Sequence, residues 1–145
     1  MLVRCLYASR PSASSTASIV ESIVEQSRRN NPRNGITGLL CCTESVFIQI
    51  LEGGRDNVCR LIDAIIRDER HTHVQILLFE EISERKFGNW TMGRVDIGKS
   101  NQALVLKYSE TAEVDPFACS GHTTLALLIE LMESGSISGR GNHAN

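Results

Sequence analysis

Residues 35–53, GITGLLCCTESVFIQILEG, decide the fold of this chain. Two apolar runs, 35–42 and 46–51, flank three polar residues, a pattern that predicts two strands joined by a short hairpin. The Glu-Gly-Gly sequence at 52–54 is expected to break the second strand, because glycine weakens strand interiors. This hairpin is expected to supply two neighbouring strands to one sheet.

Gln49 is the unusual residue of this segment. Strand side chains alternate, so Gln49 points to the same side as Phe47 and Leu51, with Ile48 and Ile50 opposite. Both faces are apolar, which is typical of a central strand. A buried amide without partners costs about 1–3 kcal/mol. Gln49 is therefore either a core glutamine bonded to nearby backbone or an amide that faces a bound ligand.

The flanking segments alternate between strand and helix periodicity. Further strands are predicted over residues 2–9, 74–79 and 90–97. Two amphipathic helices are predicted from the apolar stripes Ile19, Val20, Ile23, Val24 and Val58, Leu61, Ile62, Ile65, the first ending between Ser27 and Asn30 and the second near Asp68. This order predicts an α+β ferredoxin-like sandwich, a five-stranded mixed sheet with two helices on one face.

The chain changes character after about residue 97. Residues 1–97 are expected to form the core, 98–135 a C-terminal helical extension and 136–145 a disordered tail. A helix over 123–133 carries a wide apolar stripe of leucines, Ile129 and Met132. We expect it to pack on the other sheet face and to leave apolar area for a partner subunit in a homo-oligomer. An ordinary terminal helix docked on its own domain is the alternative.

Composition limits the possible functions. The 145 residues are 41% hydrophobic with net charge −2, which gives no electrostatic footprint for nucleic-acid binding. No apolar run approaches the ~20 residues of a membrane span, and the N-terminus lacks the layout of a signal peptide. Five cysteines without a CxxC motif indicate a reduced, cytoplasmic protein.

A metal site is not expected in this chain. His71 and His73 are close in sequence, and Cys41 and Cys42 lie on a predicted strand. Adjacent strand cysteines point to opposite faces and cannot easily bind one ion. We therefore predict no metal.

Three polar side chains are expected to meet at one pocket. In a ferredoxin-like sheet the first and third strands are central neighbours, so Tyr7 and Gln49 can touch, and Asn31 follows the first helix. The pocket between the helices is expected to be lined by Ile23, Val24, Leu40, Phe47 and Ile65. A flat apolar slot with a phenol and amides at its edge suits a planar heteroaromatic ligand. By chemistry alone this ligand is a flavin, a pterin or a purine.

Five segments of the chain, in this order and spacing, resemble the BLUF domain, the blue-light sensor that uses FAD. They are LYAS at 6–9, SRRNNPRNGITGLL at 27–40, FIQILEG at 47–53, RDERH at 67–71 and FGNWTMG at 87–93. The resemblance covers roughly residues 1–97. It implies a noncovalent FAD site, with FMN or riboflavin also possible through recognition of the ring.

The resemblance also implies a role for each matching residue. Tyr7 is expected to give an electron and a proton to the excited flavin, and Gln49 to bridge Tyr7 and the N5/O4 edge of the ring. Asn31, helped by Asn30, is expected to bond the O4/N3 edge. Other residues expected at the flavin, along the dimethylbenzene, ribityl and phosphate side, are Ile65, Asp68, Arg70 and His71, with Ser27 also in the site.

The resemblance predicts a photoreceptor rather than an enzyme. Light is expected to rotate or tautomerise Gln49, giving a red-shifted state that reverts in the dark. Trp90 and Met92 match the fifth-strand pair that senses Gln49. They are two residues apart and so are expected to share one strand face, and a two-residue slip of that strand is expected to carry the signal to the 123–133 helix. We expect no output domain after the core and therefore a separate effector protein.

Two alternatives of other classes remain from the residues. One is a ferredoxin-like scaffold that has lost flavin binding and does not respond to light. The other is an acylphosphatase-like hydrolase that would use Asn30, Asn31 and Arg33, but it leaves Tyr7 and Gln49 unexplained.

Overall fold

The computed structural model describes residues 1–12, 16–98 and 101–134, so the predicted tail at 136–145 lies outside the described residues. The strands are β1 (Leu2–Pro11), β2 (Thr37–Cys42), β3 (Phe47–Gly54), β4 (His71–Ile82) and β5 (Gly93–Asp96). The helices are α1 (Thr16–Asn30), α2 (Arg55–Arg67), α3 (Gln102–Tyr108) and α4 (Gly121–Glu133), with 3-10 turns at Asn31–Asn34 and Pro116–Ala118.

The five strands form one sheet in the order β4-β1-β3-β2-β5. Neighbours are antiparallel except β2 and β5, which run parallel. The predicted ferredoxin-like α+β sandwich with a mixed sheet is confirmed. Because β1 and β3 are central, both of their faces are covered.

The two faces of the sheet support two separate cores. One core packs under α1 and α2, and its buried side chains include Val3, Tyr7, Leu40, Phe47, Leu51 and Met92. The other packs under α3 and α4 and includes Leu6, Leu39, Ile48, Ile50, Phe87 and Leu128. The expected position of the C-terminal helices on the opposite face is thus confirmed. Because side chains alternate along β1 and β3, successive residues of these strands enter different cores, as the sequence predicts.

The predicted end of β3 is wrong. The strand continues through Glu52 and Gly53 to Gly54, because this whole stretch pairs with β1 up to the partners Leu2 and Gly54. Gly53 instead allows close packing of the backbone. A Cβ on Gly53 would lie 3.1 Å from the carbonyl oxygen of Gly35.

The predicted fifth strand is too long, and this changes the position of two residues of interest. β5 begins only at Gly93, so Trp90 and Met92 precede it in a bent segment. Met92 is fully buried in the core under α1 and α2, whereas Trp90 packs against the core under α3 and α4. The expectation that both residues share one strand face is therefore wrong, since alternation does not hold through a bend.

Within the described ranges, no helix is long and apolar enough to cross a membrane.

Candidate functional site

Tyr7 and Gln49 meet at the centre of the sheet. They are directly paired across β1 and β3, and both side chains point to the α1/α2 face. The Tyr7 hydroxyl donates a hydrogen bond to Gln49 Oε1. Tyr7 is fully buried and Gln49 is 2% exposed. The predicted contact between the phenol and the amide is therefore present.

Met92 completes a chain of hydrogen bonds from this pair. Gln49 Nε2 donates to Met92 Sδ at 3.3 Å. Because Oε1 accepts from Tyr7, the amide has one orientation in which each end meets a suitable partner. Gln49 thus links the phenol of β1 to the bent segment before β5.

A cavity of about 140 Å³ opens beside these hydrogen-bonded side chains, between α1 and α2. The predicted site residues that line it are Tyr7, Ile23, Ser27, Asn30, Asn31, Gln49, Ile65, Asp68, Arg70 and His71. Val24, Leu40 and Phe47 lie in the adjacent core and do not line it. Trp90 does not reach it either, so the structure brings together most of the predicted set.

Sequence reasoning missed three lining residues, Gln26, Leu61 and Ala64. Helical periodicity in the sequence could have identified them. Gln26 is three residues after Ile23 on α1, and Ala64 is three residues after Leu61 on α2, spacings that place residues on one helix face. Gln26 was overlooked because it is polar and does not extend the apolar stripe.

Asn31 carries the clearest sign of a missing partner. It begins the 3-10 turn after α1, is 3% exposed and lines the cavity. Among the described residues, no group accepts a hydrogen bond from its Nδ2 atom. A buried unpaired donor costs about 1–3 kcal/mol. The side chain is therefore suited to a ligand that brings a hydrogen-bond acceptor, such as a ring carbonyl, into the cavity.

The turn that holds Asn31 is locally well defined. The amide of Ile36 donates to the carbonyl of Asn31 at 2.9 Å, and Gly35 closes the turn with φ 65°. Glycine adopts this left-handed conformation without the cost that a Cβ imposes. The NPRNG sequence at 31–35 therefore fixes where the amide is presented.

Arg70 links α1 to Asp68, the residue that caps the end of α2, at the mouth of the cavity. It binds both oxygens of Asp68 and donates from Nη2 to Gln26 Oε1 at 2.7 Å, and from Nη1 to Ser22 on α1. The hydrogen bonds from Arg70 hold the pKa of the Asp68 carboxyl below its usual range. The mouth thus offers fixed charges for a polar tail, while the interior is apolar and amide-lined.

Burial alters the proton affinity of two groups at the site. Burial raises the pKa of Tyr7 far above its usual range, with smaller contributions from Cys5 and Asp68. It lowers the pKa of His71, whose Nδ1 lies 2.9 Å from the Ser9 hydroxyl. Both side chains are therefore neutral near pH 7.

The described residues contain no group of three His, Cys, Asp or Glu side chains placed to hold a metal ion. His71 faces the cavity, whereas His73 contacts the ring of Phe117 at a centroid distance of 5.3 Å.

The donors, the apolar interior and the charged mouth fit a flavin, and comparison with known proteins decides the family. The model for sensors of blue light using FAD, BLUF, matches residues 2–93. The chain belongs to the BLUF family. FAD is the cofactor of this family, so the predicted cofactor is confirmed, as is the general role of a blue-light sensor.

Two solved BLUF structures resemble this BLUF protein over nearly their whole length. BlsA in its photo-activated state is 29% identical with a TM-score of 0.83, covering 91% of this chain and 95% of that one. BlrB, a BLUF protein in its dark state, is 29% identical with a TM-score of 0.77, covering 92% and 96%.

A curated relative matches only in part. The blue light- and temperature-regulated antirepressor BluF of Escherichia coli (strain K12) is 31% identical over 97 residues, which is 67% of this chain and 24% of that protein. The chain thus spans about a quarter of the length of this relative.

Proposed function

We propose that this BLUF protein is a photoreceptor in which Tyr7 and Gln49 carry the photochemistry and Met92 reads its outcome. The observation that carries the proposal is the buried chain of hydrogen bonds Tyr7–Gln49–Met92 at the wall of the cavity. The hydrogen bonds of Tyr7 and of Met92 therefore both depend on the orientation of the Gln49 amide.

When bound, FAD supplies the absorption of blue light and an excited ring that accepts an electron. Asn31 is placed to hold a ring carbonyl with its unpaired Nδ2, and Arg70 and Asp68 are placed at the polar tail. The proposed binding set also keeps Ile23, Ser27, Asn30, Ile65 and His71, with Val24, Leu40 and Phe47 supporting it from the core.

Tyr7 is suited to give up an electron and a proton together. Burial raises the pKa of its hydroxyl, so the neutral phenol is strongly favoured in the dark. Loss of the electron alone would leave a positive charge in an apolar site, which is costly. The hydroxyl already donates to Gln49 Oε1, so the proton has a path through that amide.

A 180° rotation of the Gln49 amide would break its contact with Met92. Rotation exchanges Oε1 and Nε2, so Nε2 would face the Tyr7 oxygen and Oε1 would face Met92 Sδ. A thioether sulfur accepts but cannot donate a hydrogen bond. The bond at 3.3 Å would then be lost, and Met92 would be released.

This release needs an amplifier. One rearranged hydrogen bond contributes about 0.5–1.5 kcal/mol net, whereas shifting an equilibrium from 1:99 to 99:1 takes ~5.5 kcal/mol. We propose that the segment from Trp90 through β5 and the helices α3 and α4 form the cooperative element. Trp90 already packs on the α3/α4 side, so movement of this segment affects both faces.

Hydrogen exchange in light and in darkness tests the relay. We expect amide protection to change in residues 90–97 and in α4 on illumination. Unchanged protection across residues 90–133, in protein that shows a red-shifted spectrum, would rule the relay out.

A separate effector protein and self-association complete the proposal. The curated relative is named an antirepressor, and another solved relative is a light-regulated adenylyl cyclase, so BLUF domains occur with more than one kind of output. Leu106 on α3 is 52% exposed, and Ile129 and Met132 on α4 are only partly buried. This surface is where we expect a second copy or an effector.

The spectrum of the purified protein tests the central claim. We expect a yellow protein whose absorption shifts to longer wavelength in blue light and returns in the dark. Tyr7→Phe should stay yellow and lose the shift, because the ring packing is kept and the hydroxyl is gone. The matched control is Tyr108→Phe. The Tyr108 hydroxyl donates to Glu130 on the other face of the sheet, so its removal should leave the light-induced shift unchanged.

The spectra of Tyr7→Phe and of the wild type distinguish the proposed photoreceptor from the alternative. A shift retained in Tyr7→Phe would contradict the role of Tyr7. A wild-type protein that takes up no flavin and shows no shift would favour the light-insensitive scaffold.

A further inference from the structure

Glu52 is a fully buried carboxylate that the photochemistry described above does not use. It lies on β3, opposite Arg4 on β1. Arg4 donates to Glu52 Oε2 from Nε at 2.8 Å and also pairs with Glu80 at 2.9 Å. A buried charge needs such a partner, since desolvation of an unpaired carboxylate is costly.

The carboxylate also captures two consecutive backbone amides of the β4–β5 loop. The amide of Phe87 donates to Oε1 at 2.7 Å, and the amide of Lys86 donates to Oε2 at 3.1 Å. Arg85 strengthens the junction by donating to the carbonyl of Glu52 at 3.1 Å. Hydrogen bonds to an ionised acceptor are stronger than neutral ones. The start of the loop is thus tied to the centre of the sheet.

A short run of backbone leads from this anchor to Met92. The amide of Trp90 donates to the carbonyl of Phe87 at 3.1 Å, and the carbonyl of Trp90 accepts from Gly38 at 2.9 Å. The carbonyl of Met92 accepts from Arg28 Nε at 3.3 Å. Residues 86–92, which we name the Met92 segment, are therefore held at both ends and near the middle.

We propose that Glu52 is a positioning residue of the photoreaction: its carboxylate is the fixed pivot from which the Met92 segment presents Met92 to Gln49. The inference rests on the proposed role of Met92. It also replaces the two-residue strand slip. A slip would move the chain by about 6–7 Å, and with Lys86 and Phe87 held by Glu52 the two residues before Trp90 would have to absorb that whole movement. We expect a smaller movement beyond Phe87, where single hydrogen bonds hold the carbonyls of Trp90 and Met92.

The wild-type protein tests the pivot directly. In FAD-loaded protein, the amides of Lys86 and Phe87 should exchange slowly and keep their protection in blue light, while residues 90–92 change. Loss of protection at residues 86 and 87 equal to that at 90–92 would overturn the pivot.

Glu52→Gln tests the positioning role. One oxygen becomes an NH2 group that cannot accept from a backbone amide, so we expect exchange at Phe87 to rise at least about tenfold. The methyl resonance of Met92 should move in the dark, both with and without FAD. The dark-recovery rate should change by at least about threefold, a readout that a purely structural role would not move.

Two further variants make the result decisive. Arg4→Met/Glu52→Gln removes both charges of this pair and guards against misfolding caused by an arginine that has lost its buried partner. The control is Glu81→Gln, since Glu81 is exposed and pairs only with Arg55 among the ion pairs that the structure describes. The control should match the wild type in every readout.

The outcomes also distinguish this inference from the proposed function. Faster exchange at Phe87 with an unmoved Met92 resonance and unchanged recovery would refute the inference and leave the photoreceptor intact. A wild-type protein that binds FAD without any spectral shift would refute the proposed function itself. If neither glutamine variant folds, the wild-type exchange pattern decides.

Discussion

Asn31→Ala is expected to leave the stability of the flavin-free protein nearly unchanged and to weaken flavin binding. The Nδ2 atom is buried without an acceptor among the described residues, and such a donor costs the folded, flavin-free protein about 1–3 kcal/mol. Alanine removes this cost but also removes packing contacts worth about 1–2 kcal/mol. The free energy of unfolding without flavin should therefore stay within about 1 kcal/mol of the wild type.

Flavin affinity should fall in the same variant. If Nδ2 donates to a ring carbonyl, its loss leaves that carbonyl without a partner and costs about 1–3 kcal/mol, or about 5- to 150-fold in Kd. Urea unfolding of flavin-free protein measures the first quantity. Fluorescence titration with riboflavin measures the second, because riboflavin isolates recognition of the ring from that of the phosphates.

Asn34→Ala is the matched control, with the same substitution in the same 3-10 turn at an exposed position that does not line the cavity. Its effect on affinity should be about twofold or less, as for exposed side chains generally. The proposed role of Asn31 in flavin binding is refuted if Asn31→Ala lowers the stability of the flavin-free protein by more than about 2 kcal/mol while riboflavin affinity stays unchanged. That result would mean that the amide supports the fold and not the ligand.

Three further predictions concern the same cavity. Gln49→Leu should keep bound flavin but abolish the light-induced shift in the absorption spectrum, since Tyr7 loses its acceptor; a persisting shift would exclude the role of the amide. Met92→Leu should keep the shift while changing the dark-recovery rate, because Gln49 Nε2 loses its sulfur partner; an unchanged recovery rate would argue against Met92 as the reader. His71 should make the flavin-free protein less stable as the pH falls from 7 to 5. Its folded pKa is lowered by burial, so the unfolded chain binds a proton that the folded one does not, with a slope of at most about 1.4 kcal/mol per pH unit. His71→Gln should reduce this slope in urea unfolding, and the control His122→Gln at an exposed site should not.

The predicted arrangement of the central strands could be read from local patterns. Period-two alternation places Tyr7 and Gln49 on the helix-covered face, and the order of elements makes their strands neighbours. The NPRNG turn likewise positions Asn31 by short-range chemistry. These features need only residues close in sequence, or a topology that few chains of this pattern can avoid.

The cavity lining was predicted in part. Helical spacing correctly selects Ile23 and Ile65, but the same stripe includes Val24, which turns into the core beside the cavity. The exact rotation of α1 over the sheet depends on packing against α2. A one-residue difference in helical phase of about 100° cannot be resolved from apolar periodicity alone.

The sequence by itself determined the family, the central strand pair and the polar groups that meet at the cavity, because local periodicity and motif spacing encode them. The tertiary structure alone decided that Trp90 and Met92 lie on opposite sides of the sheet and that Glu52 holds the part of the loop that precedes them. Those contacts join residues that are 34 or more positions apart, such as Glu52 with Lys86 and Arg28 with Met92. Pairings of that range arise from how the layers pack, and no pattern within one element records them.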